Sequence, residues 1–101
     1  MKVVLSARVE ADIANQFQYG TDRFGPIVAR RTFARVDTFL FRFLPAHPYA
    51  GKYLDDRGIY ESWIARTPFV VFYRVNAETS TIAVLALFHH AQDRAAFDSE
   101  E

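Results

Sequence analysis

The chain has 101 residues, half of them apolar and 16% aromatic, which excludes a disordered polypeptide and allows one modest core. It has no cysteine, which excludes disulfides, thiol catalysis and zinc–thiolate sites. Its formal net charge is zero with a pI near 6.8, which argues against a strongly electrostatic DNA binder.

The zero is assembled unevenly. Residues 1–97 hold all 12 Lys and Arg and nine of the 12 acids, a balance of +3, while Asp98, Glu100 and Glu101 form a short acidic tail. A single domain over residues 1–101 is expected. No apolar stretch approaches the roughly 20 residues of a membrane helix, and Glu10 arrives too early for a signal-peptide core. The expectation is a cytoplasmic protein with no membrane association.

Val3, Val4 and Leu5 read as an opening strand. Ser6 is placed to cap a helix, since its hydroxyl can accept a free amide proton of the first turn. Val9, Ile13, Phe17 and Gly20 recur at helical steps and predict an amphipathic helix to about Phe24. Gly25-Pro26 ends it and starts a second helix, predicted over residues 27–44.

At 100° per residue, Ala29, Phe33, Val36, Asp37, Leu40, Phe43 and Leu44 share one side of that helix. Arg31, Arg35 and Arg42 lie opposite, and Phe39 and Phe41 flank the apolar stripe. The two helices form an antiparallel hairpin with one face for a sheet.

Residues 45–58, with two prolines and two glycines, read as a long loop. Strands follow over Ile59–Ala65, Phe69–Val75 and Thr81–His90, the first pair joined by an Arg66-Thr67-Pro68 turn and the second by a polar hairpin loop. The last is too continuously apolar for a wet face and is expected inside the sheet. Trp63 is expected to anchor the core against the hairpin, and Gln92–Phe97 to form a short helix. The fold class is α+β: β-α-α-β-β-β, a helix hairpin packed on a small, mainly antiparallel curved sheet.

That order, with the loop "LPAHPYAGKYLDDRGIYESWIA" and the blocks "TPFVVFYRV" and "IAVLALFHHAQDR", resembles the RelE/ParE toxin superfamily of type II toxin–antitoxin modules, most closely its ParE branch. The resemblance implies an antitoxin whose disordered segment folds across the toxin, in a toxin–antitoxin hetero-oligomer. Phe39, Phe41, Arg31, Arg35, Arg42, His90 and Arg94 are then candidates for partner contact. For the arginine row the plain alternative is a solvated helix face.

The superfamily divides by mechanism. Its ParE-like members inhibit DNA gyrase without cutting nucleic acid, so contact with nucleic acid would come only through the target. Its RelE-like members cleave messenger RNA on the ribosome. On the nuclease reading His89 would be the general acid, with Arg66 and Arg74 on phosphate. The pattern departs from that branch early, because Phe69 or Val70 stands where some nucleases carry arginine, and Lys52 and Asp55-Asp56 match no catalytic spacing. The reading favoured is gyrase inhibition, with no catalytic residue; a non-toxic binding module on the same fold is the third possibility.

The histidine pair then marks a strand end, hydrogen-bonded to the loop or to Asp93, or part of a contact surface. Neighbouring strand residues face opposite ways, so His89 and His90 are not expected to share a metal ion. No metal or other cofactor is expected.

Overall fold

A computed structural model of the chain describes residues 1–54 and 58–90. Its elements are β1 (Lys2–Leu5), α1 (Ala7–Phe24), α2 (Pro26–Thr38), a π-turn (Phe39–Phe43), α3 (Leu44–Ala46), β2 (Lys52–Leu54), β3 (Ile59–Trp63), β4 (Phe69–Asn76) and β5 (Thr81–His89).

Both helix boundaries fall where local chemistry places them. The Ser6 hydroxyl accepts the Val9 N–H at 3.1 Å, satisfying one orphan donor of the first turn. Gly25 ends α1 at φ 90°, a conformation costly for any residue with a Cβ, and Pro26 opens α2. The hairpin closes through stacked Phe17 and Phe33, 5.7 Å between ring centroids.

The five strands form one sheet in the order β1-β5-β4-β3-β2. β1 runs parallel to β5, and the other neighbours are antiparallel. β5 is therefore internal, as its unbroken apolar run predicts. Phe72 pairs with Ala86 but Tyr73 with Val84, so Leu85 is an extra residue that bends the central pair.

Register sorts the strands onto two faces. Phe69, Val71, Tyr73, Ile82, Val84 and Leu87 meet Val9, Val36, Leu40 and Leu44 of the helical layer in the main core. Ile59, Val70, Phe72 and Ala86 form a smaller cluster on the other face. Burying a large apolar side chain stabilises by about 1.5–3 kcal/mol, so the main core dominates the fold's stability.

Four expectations are corrected. Residues 45–58 are not one loop: helix continues to Ala46, and Lys52–Leu54 forms an edge strand on β3. The sheet thus has five strands where four are expected, because a three-residue strand carries too little pattern to read.

Trp63 is 55% exposed and anchors nothing beneath the helices. It pairs with Val70, and with period two it shares the face of Ile59 and Glu61, opposite the helix hairpin. Asp37 and Phe43 also leave the predicted buried stripe; both are exposed.

For Phe43 the cause is the π-turn. Pro45 has no N–H, and its ring would strike the Phe41 carbonyl in a continuous α-helix. The backbone widens instead, with the Leu44 N–H donating to the Phe39 carbonyl, five residues back. Each residue then advances through a smaller angle. Phe43 falls short of the Leu40 direction, and Leu44 lands on it and is fully buried.

Candidate functional site

The predicted site residues separate into three places. His89 ends β5 opposite Phe69, on the helix side of the sheet. Its imidazole meets the Phe69 ring edge-on at 5.6 Å and lines a cavity of about 240 Å³ with Tyr19, Phe24, Thr32 and Phe33. Partial burial, then the neighbouring His90, hold its pKa below the ordinary histidine value.

His90 lies just beyond the strand, and its N–H donates to the Pro68 carbonyl at 2.7 Å. The strand end is thus tied to the β3–β4 turn. Alternation stops there, and the two imidazoles stack at 4.8 Å instead of facing apart, which corrects the geometric argument against a shared ion. Among the described residues no group of three potential metal ligands occurs.

Arg74 pairs with Ala83 and projects from the face opposite His89. Five residue steps along β4 also separate the two positions, roughly 16 Å along the strand. Arg66 lies in the turn with φ 64°, and its carbonyl accepts the Arg35 Nη1–H at 3.1 Å. The three candidates for general acid and phosphate contact do not converge on one point.

Other predicted residues do come together. Arg31, Arg35, Phe39, Phe43, Trp63, Ile64 and Arg66 border a groove of about 630 Å³ between α2 and the end of β3. β2 pairs with β3 only from Ile59 to Glu61, so residues 62–65 lie past the end of that pairing. Ile64 makes a buried floor. Phe39 packs on the main core, and Phe43 stacks on Phe39 at 5.2 Å. Phe41 is 46% exposed and lines a separate hollow with Leu5, Glu10, Ile13 and Asp37 on the α1 side.

Trp63 and Phe43 are the groove residues that sequence reasoning assigned to the core. Counting Trp63 in phase with Ile59 and Glu61 would have placed it on the outer face; Pro45 was the signal for Phe43. Asp93 and Arg94, the acidic tail, the proposed 92–97 helix and the Asp55-Asp56 pair lie outside the described residues.

At the other end of β3, Tyr53, Tyr60 and Tyr73 form a ring ladder across three strands, with centroids 5.1 and 5.4 Å apart. The buried Tyr73 hydroxyl accepts the Gly51 N–H at 3.0 Å. Burial raises the Tyr73 pKa, opposed by that hydrogen bond; burial, then Tyr49 and Tyr53, raises that of Tyr60. This ladder fixes the segment before β2, whose Ala50 lines the groove.

The fold and the family answer to each other here. The family described as the ParE toxin of the type II toxin–antitoxin system, parDE, matches residues 3–94. The chain belongs to the ParE toxin family. Solved structures with the same fold include the Mycobacterium tuberculosis RelBE2 toxin–antitoxin complex, at TM-score 0.64 and 22% identity over 87% of this chain and 95% of that one. The chromosomal ParDE system of P. aeruginosa aligns at TM-score 0.67 and 19% identity, covering 88% and 95%. The isolated E. coli RelE toxin aligns at 0.56 and 11%, covering 98% and 94%. No curated protein sequence matches the chain.

This ParE-family chain is thus a toxin-type domain of a toxin–antitoxin system, and among its described residues no helix is long and apolar enough to cross a membrane.

Proposed function

We propose that this ParE-family protein acts in the cytoplasm, inhibits DNA gyrase by binding it, and is neutralised by a cognate antitoxin in a hetero-oligomer. The observation that carries the reading is the dispersal of His89, Arg66 and Arg74. RNA cleavage needs an acid, a base and a phosphorane-binding cation around one scissile bond. Here the imidazole opens into an apolar cavity on the helix side, Arg74 projects from the other face, and Arg66 borders a third surface. Binding inhibition needs no such convergence. The likeness of the fold to a RelB–RelE pair and a ParD–ParE system supports an antitoxin partner.

The test is a pair of reactions with the purified protein. DNA supercoiling by gyrase should fall with increasing protein, and messenger RNA on programmed ribosomes should stay intact. His89→Ala should leave growth arrest within a few-fold of the parent. Ribosome-dependent cleavage that this substitution abolishes would install the nuclease reading. A free protein that leaves growth, supercoiling and message untouched would identify a binding module without toxicity.

A further inference from the structure

The cavity beside His89 carries no charge on its walls. It lies where the second half of α1, the first half of α2 and the end of the sheet meet, and holds about 240 Å³. Among the described residues no Asp, Glu, Lys or Arg lines it, whereas Glu10 and Asp37 line the hollow around Phe41 and three arginines border the groove. Arg23 sits over the Phe24 ring, 5.7 Å from its centroid, and is not part of the wall.

Rings stand at the back of the cavity and at its mouth. Phe33 and Phe69, 5.2 Å between centroids, meet at the back beside the His89 imidazole. Tyr19 and Phe24, each more than half exposed, stand at the mouth. Small residues keep the space open: a Cβ added to Gly20 would lie 3.8 Å from that of Ala29 across the hairpin, an ordinary contact. Two polar side chains complete the wall. The Gln16 amide and the Thr32 hydroxyl both line the cavity, and neither hydrogen-bonds to a described residue.

Size and chemistry together narrow the occupant. One turn of helix, a cylinder about 10 Å across and about 5.4 Å high, fills roughly 400 Å³ and does not fit. Apolar cavities of about 150 Å³ stay dry and take up benzene. A charged ligand would be stripped of water here with no opposite charge to meet it. Rings favour rings, in offset or edge-to-face contact. We infer that this cavity binds a small neutral aromatic molecule of one or two rings that carries one hydrogen-bonding group. Its ring lies among Phe24, Phe33 and Phe69, and its polar atom reaches Thr32 or Gln16.

Phenol, toluene and benzoate are close in shape and differ in polarity, so they serve as the probes. Each is titrated into the isotope-labelled full chain at neutral pH, with amide chemical shifts as the readout. Phenol should move the Gly20, Ala29 and Thr32 amides along one saturable curve, with a Kd of about 1 mM for a ligand of this size. Toluene should bind about three-fold more weakly, and benzoate at least about ten-fold more weakly.

Thr32→Val with Gln16→Met removes both polar groups and should erase the preference for phenol over toluene. Gly20→Met extends a flexible side chain into the cavity from a Cβ that fits, and should weaken both probes by at least about five-fold. The three-probe series needs no variant, so the test stands even where a substitution unfolds the chain. Shifts that do not saturate, benzoate binding as tightly as phenol, or unchanged affinity in a folded Gly20→Met protein would overturn the assignment. So would cavity amides that shift on dilution without any probe, because a side chain of a second copy would then fill the space. The supercoiling and message assays have no bearing on this result.

Discussion

Gly51→Ala is a demanding test of the packing around β2. Gly51 is not at a positive φ, so alanine is conformationally allowed, and stiffening the unfolded chain would by itself stabilise by about 0.4–1 kcal/mol. Space decides otherwise. An added Cβ would lie 2.8 Å from the Tyr73 hydroxyl and 2.9 Å from the Glu61 carbonyl oxygen. Neither can move cheaply. Tyr73 is fully buried, its ring stacked on Tyr60, and Glu61 belongs to β3, paired on both sides.

Overpacking of this kind costs about 1–3 kcal/mol, and straining the Gly51-to-Tyr73 hydrogen bond adds about 0.5–1.5 kcal/mol. After the entropic gain, a net loss of about 1–3 kcal/mol is expected, a fall in Tm of roughly 5–20 °C for a domain of this size.

Tyr73→Phe removes one of the two clashes, so the double variant should lose less than the sum of the singles, by about 1 kcal/mol. Urea unfolding followed by Trp63 emission measures all three. Gly51→Ala within 0.5 kcal/mol of the parent, or strictly additive singles, would refute the account of a rigid tyrosine-pinned segment.

Ser6→Ala should destabilise by about 1 kcal/mol in the same assay, because the Val9 N–H loses its cap, while Ser6→Asp should retain most of the stability. The depressed His89 pKa means that the unfolded chain binds that proton more readily than the folded one. Its contribution is then complete above the unfolded value near 6.5 and is lost as pH falls below it. His89→Gln should therefore reduce the loss of Tm between pH 7 and pH 5; an unchanged slope would remove His89 as a source of acid sensitivity.

The α1–α2 hairpin was legible because its signals are local. A serine hydroxyl three residues from the amide it caps, a Gly-Pro break and a stripe repeating every three or four residues act within one or two turns. The β4–β5 pair was legible for a related reason, since strands of eight and nine residues, six and seven of them apolar, on either side of a polar turn have few ways to pair. The edge strand at Lys52–Leu54 was not, because three residues are held there by pairing with β3 and by the hydrogen bond of Gly51 to Tyr73, 22 positions away, not by their own pattern. The candidate site divides the same way: Arg31, Arg35 and Phe39 stood out on the predicted second helix, while Trp63 and Phe43 were assigned to the wrong side.

By itself, the sequence determined the α+β class, the helix hairpin, the internal position of β5 and the family, since each rests on periodicity or on ordered blocks along the chain. Tertiary structure decided which face each side chain serves. A proline rotated Phe43 out of the core through a widened turn, and strand register turned Trp63 away from the helices. It also set His89 and Arg74 on opposite faces of the sheet and drew Arg35 and Arg66, 31 residues apart, to the rim of one groove. Such placements depend on pairing and packing between distant segments, and no window of the chain contains both partners.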